Sequence, residues 1–102
     1  MLHKPNIMFA FHSKYLAPVE KVDKHVDAHR AYIKTLIAKN ILVCSGPKVP
    51  RNGGFIMLNA ANRAEAELIM ADDPYVINGI AKYEMIEFDL KSCVEGFREL
   101  LK

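Results

Sequence analysis

No stretch of this 102-residue chain approaches the ~18 consecutive apolar residues that a membrane span needs. The opening residues, Met1 to Lys14, have no apolar core of the kind that marks an export signal. Tryptophan is absent, and the two cysteines, Cys44 and Cys93, form neither a CxxC pair nor a zinc spacing. A disulfide framework is therefore excluded, and free thiols fit a reducing compartment, with the cytoplasm as the expected location. Cys44 falls in an apolar stretch, where a thiol is expected to pack as a small hydrophobe. The formal net charge is only +2, and no run of Lys and Arg is interleaved with aromatics. No nucleic-acid partner is expected, because phosphate recognition needs a concentrated basic surface. Repeats, linkers and low-complexity segments are all missing.

What remains is an ordinary globular mixture, 51% hydrophobic and 25% charged. The length allows one domain over residues 1–102, able to bury roughly 60–70% of its unfolded surface. Asn6 to Phe11 is short, apolar and aromatic and predicts a strand. Ser13 to Pro18 reads as a connection. A helix is predicted from Pro18 or Val22 to Lys39, with Asn40 as its stop. Ile41 to Ser45 predicts a second strand, closed by Gly46-Pro47. Pro50 to Gly54 is a strong turn signal, and Phe55 to Asn59 completes a hairpin. Asn62 is a candidate N-cap for a helix to Ala71, which Asp72-Asp73-Pro74 breaks. Lys82 to Phe88 predicts the last strand. Val94, Phe97 and Leu101 lie at helical spacing, so the extension over residues 88–102 is expected to carry a short amphipathic helix within Ser92–Lys102.

The order β-α-β-β-α-β is the split βαβ pattern of an α+β, ferredoxin-like fold with a four-stranded antiparallel sheet. Helices in that topology cover one face only. The first three strands are nonetheless apolar at nearly every position, which calls for cover on both faces. A homodimer packed sheet to sheet is one answer, and the C-terminal helix folding back over the open face is the other.

On a helical wheel of roughly 100° per residue, Val22, Val26, Ile33, Leu36 and Ile37 share one face of the first helix, and His29 lies near its middle. A buried imidazole needs partners for its nitrogens. Three readings are open: a satisfied core histidine, a general acid or base, or a metal ligand with His25 at i−4. The last lacks the glutamate of a zinc-protease helix and an evident third ligand, so neither metal nor cofactor is expected. His25 and Tyr32 flank the stripe, where a pocket rim would be. Asp72-Asp73-Pro74-Tyr75 places an aspartate before a proline, which is a helix cap by itself. Asp73 does more if its turn aims the carboxylate at His29, where it would fix the ring's tautomer and stabilise its charged form. Ser45-Gly46-Pro47 is either a pocket wall or a plain strand exit.

Three motifs in this order, Asp27-Ala28-His29-Arg30-Ala31-Tyr32, Ser45-Gly46-Pro47 and Asp72-Asp73-Pro74-Tyr75, resemble the YCII-related family within the dimeric α/β-barrel superfamily. The resemblance runs from the first strand to about Phe88. It implies dimers with facing sheets and a pocket between helices and sheet. In that pocket it implies a His29–Asp73 dyad, walled by Ser45, Gly46, Pro47 and Tyr75 and binding a small-molecule ligand. Two functions follow as expectations. One is a cofactor-free enzyme of lyase, dehydrohalogenase or isomerase type, with acid-base chemistry at His29 and Asp73. The other is a non-catalytic ligand-binding or accessory dimer, since ferredoxin-like folds host many functions.

Overall fold

In the computed structural model, which describes residues 6–101, the opening strand outruns its apolar letters. β1 spans Ile7–Tyr15, so Ser13 to Tyr15 belongs to the strand and not to a connection. The cause is its pairing with β4, Ala81–Asp89, which continues to Tyr15↔Ala81. Alternation carries the polar end of the strand: Ser13 is buried on one face while Lys14 is exposed on the other.

The first predicted helix is two. α1 covers Val19–Asp23 and α2 covers Val26–Ala38. The amides of Lys24 and His25 bond three residues back, to Lys21 and Val22. Such bonds tighten the last turn and end α1. Asn40 stops the helical segment as expected, at a left-handed φ of 62° that asparagine tolerates. β2 is Leu42–Pro47, β3 is Gly54–Leu58 and α3 is Arg63–Ala71. The side chain of Asn62 accepts from the Glu65 amide at 2.9 Å and so caps α3. A one-turn helix, α4, follows at Pro74–Ile77.

All pairings are antiparallel, in the order β2-β3-β1-β4. β1 and β3 are central, and their inward residues Phe9, Phe11, Ile56 and Leu58 meet Ile33 and Leu36 of α2 and Met70 of α3. A second cluster, Val22, Tyr75, Ile80 and Ala81, anchors α1 and α4. The opposite face carries Met8 and Ala10 of β1 and their neighbours Met57, Ile86 and Phe88. Ile86 is 53% exposed there.

Two further expectations fail. Cys44 is exposed, because β2 is an edge strand with a register irregularity between Leu42 and Cys44. Among the described residues the tail has no α-helix, only a 3-10 turn at Arg98–Leu101. Gly96 at φ +87° interrupts the run, and Val94 is 76% exposed, so no apolar face is buried to stabilise a helix. Side chains of Asn40 and Asn59 instead donate to the carbonyls of Leu100 and Leu101. Residues 1–5 of the export-signal reading and Lys102 of the tail lie outside the described residues. Among the described residues, no helix is long and apolar enough to cross a membrane.

Candidate active site

The break between α3 and β4 sets the position of one carboxylate. Asp73 takes an extended conformation before Pro74, and its Oδ1 accepts from the Tyr75 amide at 2.9 Å, capping α4. The same turn buries the side chain completely. From α2, His29 reaches it with Nδ1 at 2.8 Å from Oδ1. From β4, the Tyr83 hydroxyl donates to Oδ2 at 2.9 Å. A carboxylate only accepts, so three donors converge on it, and the His29 nitrogen facing it carries the proton.

That fixes the neutral ring's tautomer and leaves Nε2 with its lone pair. Among the described residues Nε2 makes no hydrogen bond, and no buried side-chain nitrogen or oxygen lacks a partner. The free nitrogen therefore opens to the cavity that the ring lines. Tyr75 holds the ring from one side, stacked with centroids 4.0 Å apart and planes 2° from parallel. Burial pushes the Tyr83 phenol well above the usual tyrosine range, and the adjacent Asp73 charge adds to the effect. Tyr83 thus stays protonated and remains a donor.

The cavity, about 660 Å³, lies between α2 and the helix-side face of the sheet. That is an ordinary size for a small-molecule site. Ile33, Ile56 and Tyr83 form its apolar floor, and Ser45, Gly46, Pro47 and Tyr75 stand in its wall. Arg51 closes one side, bonded to Asp23 at 2.6 Å and lying 5.7 Å over the Tyr15 ring. The hydrogen bond from Arg51 holds the Asp23 carboxyl below its usual range.

His25 and Tyr32 are not in the wall. His25 is the N-cap residue of α2. Tyr32 turns away and donates its hydroxyl to the Ile69 carbonyl at 2.5 Å, and burial raises its phenol. Tyr83 is the residue that sequence reasoning missed. Its signal was a phenol in a strand pattern, which needs a partner when buried. Among the described residues, no three His, Cys, Asp or Glu side chains converge to hold a metal. A second cavity of about 650 Å³ shares Tyr15 and Arg51 with the first and is lined also by Lys14, Lys48 and Lys82, but His29, Asp73 and Tyr83 are not in its wall.

The model of the YCII-related domain matches residues 7–89, the whole of the sheet and its helices. The chain belongs to the YCII-related family. No curated protein matches it. Among solved structures, this YCII-related chain is similar to 5-chloro-2-hydroxyhydroquinone dehydrochlorinase (TftG) from Burkholderia phenoliruptrix AC1100, captured with 2,5-dihydroxybenzoquinone. Identity is 21%, TM-score 0.67, and the match covers 82% of this chain and 93% of that one. It is also similar to a dimeric ferredoxin-like protein from an uncultured marine organism, at 13% identity and a TM-score of 0.50, covering 89% and 100% of the two chains. At these identities the likeness establishes a shared α+β, ferredoxin-like fold.

Proposed function

We propose that this YCII-related chain is a cofactor-independent enzyme that moves a proton on a small organic substrate, with His29 as general base or acid. The observation that supports this most strongly is the division of labour on one ring: Nδ1 is tied to a sealed carboxylate, and Nε2 is free at an apolar cavity. Nε2 takes the substrate proton, and Asp73 stabilises the imidazolium that results. The electron pair left on the substrate forms a double bond and expels a halide or other leaving group, as in a lyase or dehydrohalogenase. In an isomerase, the same nitrogen returns the proton at another carbon. Neither course needs an oxidant. The similar dehydrochlorinase makes halogenated hydroquinones and related enol-type rings the first substrates to test.

The test is halide release from 5-chloro-2-hydroxyhydroquinone and a panel of such rings. Loss of a general acid-base group costs roughly 10²–10⁴ in rate, so His29→Gln is expected to fall by that factor. Turnover that survives His29→Gln overturns the mechanism. Binding of these rings without any turnover moves the chain to the alternative, a non-catalytic ligand-binding module.

The working form is a cytoplasmic homodimer whose sheets pack face to face into a dimeric α/β barrel. The apolar outer face of β1, β3 and β4 supports it, since Ile86 is left 53% exposed and such faces need cover. A monomer mass by light scattering at micromolar concentration would sink this assembly.

A further inference from the structure

The charges around the cavity are unbalanced. Arg30, Lys34 and Arg51 line it against a single carboxylate, Asp23. Asp73 is sealed behind His29 and contributes no exposed negative charge to the wall. Asp23 is taken up by Arg51 at 2.6 Å. Among the described residues Arg30 and Lys34 make neither a hydrogen bond nor a close ion pair, and Arg30 only adds a longer-range pull on Asp23. Two cations are therefore left over on one face of α2.

Their placement relative to the reacting nitrogen is regular. Arg30 directly follows His29, and Lys34 lies one helical turn beyond Arg30, about 6 Å along the axis. That span is comparable to the width of a single six-membered ring. The flat His29–Tyr75 stack and the side chains of Ile33 and Ile56 favour a planar apolar body. A low-dielectric wall beside paired cations raises the local concentration of anions.

We infer that the substrate of this site is a planar anion, a ring bearing a carboxylate or an ionised enol, seated with its acidic group against Arg30 and Lys34. The inference rests on the His29 reading above and names its substrate class. The anionic end docks on α2 while the ring presents its labile proton to Nε2, so charge recognition and chemistry sit on adjacent turns of one helix.

Titration of the isotope-labelled full chain by two-dimensional NMR tests this, with 4-hydroxybenzoate and its neutral isostere 4-hydroxybenzamide at low salt. The acid is expected to bind about tenfold more tightly, the combined effect of two partly exposed charge pairs. Its shifts should map to α2 and the Ser45–Pro47 wall. In the Arg30→Gln/Lys34→Gln double variant the preference should shrink to less than about threefold, and added salt should shrink it in the wild type. Both residues are exposed, so folding is not at stake in that variant. In His29→Gln the preference for the acid should persist. Equal affinities, a preference that survives the double variant, shifts confined to Lys14, Lys48 and Lys82, or no binding of either compound at millimolar concentration would each overturn the inference. Halide release with no charge preference would sink this inference alone. A charge preference without turnover would sink the proposed chemistry alone.

Discussion

Asp73 and His29 touch each other, yet their removal should cost very different amounts. Replacing Asp73 with Ala removes the cap of α4, worth about 1 kcal/mol. It also leaves the Tyr83 hydroxyl and His29 Nδ1 without their acceptor, at about 1–3 kcal/mol for each buried unpaired group. Since His29 is 18% exposed and water can reach it, its share lies at the low end. The expected total is about 3–5 kcal/mol, a fall in Tm of roughly 15–30 °C for a domain of this size. Replacing His29 with Ala leaves the carboxylate with two of its three donors, and a water can take the ring's place at the cavity edge, so about 1 kcal/mol is expected. Urea unfolding followed by circular dichroism, at one fixed protein concentration, measures both. Asp73→Asn keeps the capping oxygen and removes the charge, and it should fall between them if Asp73→Ala proves too unstable to study. Equal losses for Asp73→Ala and His29→Ala would refute this account of the buried carboxylate.

Tyr83 ties stability to alkaline pH. Its folded-state phenol is raised above the unfolded value near 10 by burial and by Asp73. Its stabilising contribution is therefore complete below pH 10 and is lost as pH climbs towards the folded value, at about 1.4 kcal/mol per unit. Tyr83→Phe should flatten that decline, and a wild type as flat as the variant would contradict it. Gly53→Ala should cost upwards of about 3 kcal/mol, because an added Cβ would lie 1.7 Å from the Ser13 carbonyl oxygen. Gly46→Ala, with nothing within 4 Å of the added atom, should stay within about 0.5 kcal/mol in the same unfolding assay. Asn62→Ala should lose about 1 kcal/mol with the cap of α3, measured by thermal melting.

Local signals proved readable where one residue does one local job. Asn62 caps the next turn, Asn40 takes the left-handed stop, and the order of strands and helices follows from apolar runs between Gly, Pro and Asn. His29 and Asp73 could be singled out because a polar ring on an apolar stripe and a carboxylate before proline are both locally odd. Tyr83 could not, because its partner depends on which face of β4 turns inward, and the pairing with β1 settles that. The Arg51–Asp23 bridge joins a loop to the end of α1, two segments whose separation no pattern encodes. His25 and Tyr32 were misplaced because the break before Val26 and the bond to Ile69 are set by packing. The tail helix failed for a plain reason: spacing alone does not bury a face, and Gly96 takes a conformation that helices exclude.

The double duty of Asp73 has a consequence for how relatives should diverge. A lineage released from selection on chemistry could shed His29 cheaply, since little of the fold hangs on it. It could not shed Asp73 so freely, because α4 and Tyr83 still need the carboxylate. Copies under no selection for chemistry at this site should therefore keep the aspartate and vary at the histidine. In an unfamiliar sequence of this kind, Asp-Pro would be a signature of ancestry, and the histidine would be the sign that a copy is still in service.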